Sequence, residues 1–184
     1  MGQRLNIEIK ENNELLANVL CQWSGFTPAS LVLTQCILDN VENIKYDDPV
    51  AKAIKLLECT GAGMTDWEMV YGVKNIKDFD SYHFKHGQNR NEGFISISPE
   101  GMAYNEEYED IRVEIHLDKR IVKFHGVYQV SEENAEDWIE YDVDLDSIRF
   151  EDFSKIKDDF LNFMKKGISC IKLKNKDVIY EFTR

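Results

Sequence analysis

A chain of 184 residues, 43% hydrophobic and 30% charged, can bury one apolar core, and no apolar run approaches the roughly 18 residues of a membrane span. The net charge of −12 works against unaided DNA or RNA binding and favours contact with basic surfaces or plain solubility. Cys21, Cys36, Cys59 and Cys170 have apolar neighbours and no metal-ligand spacing, the pattern of reduced thiols in a cytoplasmic protein. The N-terminus has no signal-peptide apolar core, and Asn6 stands where a myristoylation start needs Ser or Thr.

Leu5, Ile7 and Ile9 alternate with Asn6, Glu8 and Lys10, which predicts a half-buried strand. Glu11-Asn12-Asn13 is a turn, and Leu15, Ala17, Val19, Cys21 and Trp23 mark a second strand pairing with the first as a hairpin. Ser24-Gly25-Phe26 breaks the pattern. Thr27-Pro28 then starts a helix running to about Asn43, with Leu33, Cys36, Ile37 and Val41 as its buried stripe. Asp48-Pro49 repeats the device for a second helix, with Val50, Ala53, Ile54 and Leu57 at helical spacing and Gly61 or Gly63 at its end. Thr65 to Val73, around Trp67, Met69 and Val70, fits a third, short helix.

His83 to Ser98, HFKHGQNRNEGFISIS, is polar and aperiodic at first and alternating from Phe94 onward, a loop feeding a strand. Further strands are predicted at 111–117, 121–128 and 138–145, the last with Ile139, Tyr141, Val143 and Leu145 inward and Glu140, Asp142 and Asp144 outward. A helix over 152–166 presents Phe153, Ile156, Phe160, Phe163 and Met164, with Lys165-Lys166 and Gly167 at its end. A hairpin around Lys174 to Asp177 closes the chain. The order predicts one α+β domain: a largely antiparallel sheet with two helices from the first half and one C-terminal helix packed on it, and a possible seam near 75–92.

Two groups of residues carry candidate chemistry. His83, His86, Arg90 and Glu92, with Lys85, supply the types that general acid–base cleavage of RNA needs: a base for the 2′-hydroxyl, an acid for the leaving oxygen and a cation for the phosphate. A solvated loop accounts for the same residues. The two histidines have no further ligands at a metal spacing, and no phosphate loop, dinucleotide fingerprint or serine elbow occurs, so no metal or cofactor is expected. Gln3, Arg4 and Trp23-Ser24-Gly25 line a common pocket only if strand 94–98 lies beside the hairpin. The second group is acidic. From Ser131 to Asp159 twelve carboxylates meet only Arg149, Lys155 and Lys157, and Glu106, Glu107, Glu109 and Asp110 form another cluster. Such rows, with Asp142, Asp144, Glu106 and Glu107 as candidate contacts, either imitate a phosphate backbone in a basic groove or form a solvated face.

The segments GQRLNIEI, QWSGFT, LLECTGAG and NRNEGFISIS together resemble a group of small proteins carried by phages and other mobile elements of Gram-positive bacteria. That group includes type II-A anti-CRISPR inhibitors of Cas9, some linked to truncation of the guide RNA. The resemblance spans about the first 120 residues and transfers no residue roles. It implies an anti-defence protein of the host bacterial cytoplasm that disables a Cas9–guide RNA complex, with guide cleavage one route and non-catalytic occupation of a basic channel the other. A phage or host domain binding a small ligand is the third reading.

Overall fold

A computed structural model describes residues 4–22, 24–25, 27–64, 76–77, 93–97, 111–131, 138–166, 170–175 and 178–183, with side chains over 4–22, 24–25, 29–64, 76–77, 93–97, 111–125 and 145–162. The predicted helix at 65–73 lies outside the described residues. Strand β1 (Leu5–Glu11) and strand β2 (Glu14–Cys21) form the expected hairpin. Asn12 and Asn13 both take positive φ, 52° and 66°. This is the left-handed pair that suits the twist of a two-residue hairpin, and asparagine tolerates it better than most side chains. After β2 the chain folds back against Arg4. A Cβ on Gly25 would collide with the Arg4 backbone, so only glycine fits that crossing.

Helix α1 (Thr27–Leu38) starts where the Thr-Pro signal places it, and helix α2 (Pro49–Glu58) is capped by Asp48. The Asp48 carboxylate accepts from the amides of Val50 and Ala51 at 2.8 and 3.0 Å, which satisfies two orphan donors of the first turn. The helix ends at Cys59, and Gly61 takes φ 90° just beyond it. Strands β3 (Gly63–Met64), β4 (Phe94–Ser96), β5 (Ile111–His116), β6 (Ile121–Ser131) and β7 (Trp138–Arg149) follow. Helix α3 (Phe150–Lys166) leads to a separate hairpin of β8 (Cys170–Asn175) and β9 (Val178–Thr183).

Seven strands form one sheet in the order β3-β4-β2-β1-β5-β6-β7. The β1–β2, β2–β4, β5–β6 and β6–β7 pairs are antiparallel, while β1–β5 and β3–β4 are parallel. The fold is α+β, and the largely antiparallel sheet carries a parallel pair at its centre. Register holds the core together: Leu5, Ile7 and Ile9 lie level with Cys21, Val19 and Ala17 on one side and with Ile111, Val113 and Ile115 on the other. Val122, Phe124, Leu145 and Ile148 extend this apolar face, and all are fully buried. Helix α2 packs against β2 and β4, α1 against β5 and β6, and α3 against β6 and β7. Ile54, Leu57, Leu31, Ile37, Phe153 and Phe160 fill the interface, each contributing roughly 1.5–3 kcal/mol on burial.

The buried side of α1 departs from the expected stripe. Leu31 and Ile37 are buried with Ser30 and Thr34, and Val41 is buried from the turn beyond the helix, while Leu33 and Cys36 are half-buried. The two hydroxyls tolerate burial because each donates to a carbonyl, Ser30 Oγ to Ser24 at 3.0 Å and Thr34 Oγ1 to Ser30 at 2.8 Å. Cys21, Cys36 and Cys59 are free thiols, and burial pushes Cys21 up to about 12, far from the reactive thiolate. No described helix is long and apolar enough to cross a membrane.

Candidate functional site

His83, His86, Arg90, Glu92, Glu106 and Glu107 lie outside the described residues. The chain enters β4 through Gly93, which takes φ 96°. A Cβ at this position would come within 2.8 Å of Cys21 Sγ, so the entry leaves room for glycine alone. Asp142 and Asp144 fall on β7, opposite Val127 and His125 of β6. They alternate there with Val143 and the buried Leu145, so their register places them on the sheet face away from the helices.

That same face holds a group of residues that alternation alone would turn toward solvent. Because β1 and β5 run parallel with Asn6 level with Arg112, Glu8 with Glu114 and Lys10 with His116, two short alternations of polar residues come to lie side by side. Glu8 meets a cation on each side: Lys10 Nζ lies 2.6 Å from Oε2 and Arg112 Nη2 lies 3.0 Å from Oε1. Lys10 also reaches Glu114 Oε1 at 3.2 Å, and Glu114 Oε2 lies 3.0 Å from His116 Nε2. On the β2 side, Asn18 Nδ2 donates to Asn6 Oδ1 at 3.2 Å, and Asn6 Nδ2 donates to Glu8 Oε1 at 3.5 Å. The result is one connected chain of polar groups across three strands.

Burial grades across this cluster. Glu8 and His116 form its floor, with side chains 1% and 5% exposed. Lys10, Glu114 and Arg112 are more open, at 16%, 17% and 27%. The outward positions Asn6 and Glu8 are therefore buried, a correction to the half-buried strand the alternation predicts. Two carboxylates, Glu8 and Glu114, meet two cations, Lys10 and Arg112, so these four charges cancel. This balance is what a buried ionic group requires, since an uncompensated charge costs several kcal/mol to desolvate. For Glu114 burial acts first and raises the pKa. The hydrogen bond to His116 and the charges of Lys10 and Arg112 together outweigh it, and the carboxyl sits below its usual range. The Lys10 contact to Glu8 Oε2 is a charge pair rather than an aligned hydrogen bond, since that oxygen has no hydrogen-bond partner.

His116 is the chemically distinctive member. With Nε2 facing a carboxylate, the neutral ring carries its proton on Nε2 and presents Nδ1 as an acceptor. Nδ1 is buried and has no hydrogen-bond partner. Among the described residues, no three His, Cys, Asp or Glu side chains are placed to hold a metal ion.

Comparison with known protein families, curated proteins and solved structures finds no match to this chain. The cluster is visible in the sequence only as two period-two runs of complementary charge, Glu8-x-Lys10 and Arg112-x-Glu114-x-His116. What alternation does not supply is the parallel pairing that sets them in register.

Proposed function

We propose that the protein is an anti-defence factor of the bacterial cytoplasm that inhibits a Cas9–guide RNA complex by lodging a carboxylate-rich surface in its basic channel. The observation that carries this reading is the net charge of −12, with twelve carboxylates against three cations between Ser131 and Asp159. The four segments that resemble phage-borne Cas9 inhibitors support it. So does the register of β7, which spaces Asp142 and Asp144 two residues apart on one face, roughly 6.6 Å along the strand. A row of charges at that spacing suits a groove built for phosphates, where electrostatic attraction sets the association rate.

The test uses purified Cas9–guide RNA and surface-based kinetics at several salt concentrations. Binding is expected to weaken steeply with salt, and Asp142→Lys with Asp144→Lys to slow association more than it hastens dissociation. Salt-independent binding, or association unchanged by the double reversal, would assign these carboxylates to solubility. Guide RNA recovered from the complex is expected at full length on a denaturing gel. A shortened guide would favour cleavage instead, with His83, His86, Arg90 and Glu92 the residues to replace.

A further inference from the structure

We propose that the protein pairs with a second copy of itself through two strand edges, the outer edge of β7 in one copy receiving β8 of the other. Among the described residues β7 pairs with β6 alone and closes one end of the seven-stranded sheet, while β8 pairs with β9 alone in a sheet of two. Each strand therefore keeps one side along which another strand can be added. β7 spans 12 residues, about twice the usual strand length. Its register with β6 shifts near its end, between Val122 and Phe124, where Ser147 takes φ 56°. Before that, residues 138–145 pair with β6 without a break, from Trp138 opposite Ser131 to Leu145 opposite Phe124. This regular run is longer than the 6 residues of β8. A long, regular edge is what proteins otherwise shorten, bend or cover.

Charge selects the occupant. Residues 138–145 hold Glu140, Asp142 and Asp144 and no lysine or arginine, and β8 holds Lys172 and Lys174 and no carboxylate. In each strand these residues stand two positions apart, so they share one face. On the β6 side Glu140, Asp142 and Asp144 are level with Gln129, Val127 and His125, so no lysine or arginine is level with them there. On the β9 side Lys172 is level with Glu181 and Lys174 with Ile179. Pairing β7 with β7 of another copy would set carboxylate against carboxylate, and β8 with β8 would set lysine against lysine. Pairing β7 with β8 sets opposite signs level, and opposite charges across a strand pair stabilise it where like charges do the reverse. The same register puts Ile171 and Leu173 on the side of Ile139, Tyr141 and Val143, so the apolar face also continues across the junction. The occupant is a second copy because the chain's own β8 and β9 form a sheet apart from β7, with β8 against α3. A two-stranded hairpin has little stability by itself, and a third strand completes it. Each copy offers both edges, so a two-fold axis joins β7 to β8 twice and closes the pair. This inference does not rest on the Cas9 reading.

The experiment is sedimentation velocity on the full chain over a range of concentrations, at low and high salt, with circular dichroism to confirm that each variant folds. The wild type is expected to pass from monomer to dimer as concentration rises, and the dimer to weaken as salt is added. Asp142→Lys with Asp144→Lys, and separately Lys172→Glu with Lys174→Glu, should each weaken self-association by about tenfold or more, since each sets like charges level across the junction. Mixed in equal amounts, the two variants should form a dimer again, because each β7 then meets a β8 of opposite sign. Should a reversal fail to fold, Asp142→Asn with Asp144→Asn, or Lys172→Gln with Lys174→Gln, takes its place, and the salt dependence of the dimer should then flatten. A wild type that stays monomeric at every concentration would overturn the proposal. So would a dimer that these substitutions leave unchanged, or a mixture of the two reversed variants that stays monomeric.

Discussion

Among the described residues, basic side chains bridge carboxylates from distant segments both on the polar face of the sheet and at Arg120, with unlike consequences. On the polar face of the sheet, Glu8, Lys10, Arg112 and Glu114 join β1 to β5, with Glu8 buried and the other three part-buried. Beyond the C-terminal end of β5, in the turn before β6, Arg120 binds Glu42 beyond α1 at 2.5 Å and Glu151 at the start of α3 at 3.2 Å, all three exposed. Arg120 also takes φ 52°, accepts the Phe150 amide at its carbonyl and lies 5.2 Å from the Phe150 ring centroid. Its position is fixed by the backbone and the ring before the carboxylates act. The difference shows that burial, not the number of ion pairs, decides what a charge does for the fold. An exposed pair competes with water and salt, while a buried one must be complete because each member alone is costly.

The largest effect should come from breaking the buried set. Glu8→Ala removes the nearer of the two carboxylates that Lys10 and Arg112 share, and should destabilise the protein by about 3–5 kcal/mol in urea denaturation. If Glu8→Ala unfolds at nearly the wild-type urea concentration, the cluster is solvated and the contrast with Arg120 disappears.

A smaller effect should follow pH. The Glu114 carboxyl lies below its usual range in the folded state, so it binds a proton less readily there than in the unfolded chain. Its contribution to stability is therefore present above the unfolded carboxylate range and is lost as pH falls through the lower, folded value. Glu114→Gln should flatten the acid side of the stability profile. An acid limb identical to that of the wild type would show that other carboxylates carry the dependence.

The smallest effect belongs to the surface. Arg120→Ala should lower the thermal midpoint slightly at low salt, and that decrement should vanish as salt rises, because its ion pairs are exposed. A decrement that persists at high salt would assign the loss to the Phe150 stacking and not to Glu42 and Glu151.

The strands of this fold were legible wherever apolar residues alternate, as in Leu5-Ile7-Ile9 and Ile111-Val113-Ile115, and the helix starts wherever an aspartate or threonine precedes proline. Helix α1 shows where that reasoning fails. Its residues are apolar almost all round, so no stripe stands out, and Ser30 and Thr34 enter the core by donating to carbonyls nearby. The polar cluster was hidden for a different reason. Glu8 and Lys10 alternate as solvent-facing residues do, and only the neighbouring strand decides whether they meet water or Arg112 and Glu114. Partner choice between strands far apart in sequence is a property of topology that a period of two does not encode. The same alternation turns the carboxylates at 142 and 144 outward, and β7 pairs these positions with Val127 and His125 of β6.

The central β1–β5 pair also dictates an order of events. Leu5 meets Ile111, so during synthesis the N-terminal hairpin is complete long before the strand that covers its open side exists. Until then β1 is an edge, with free backbone groups and an apolar row that invite pairing with another chain. Glu8 and Lys10 lie along that edge, and two charges on a bare strand discourage such pairing. The residues that end as the polar centre of the sheet thus begin as its guard, and they are neutralised in place only when the correct strand arrives with Arg112 and Glu114.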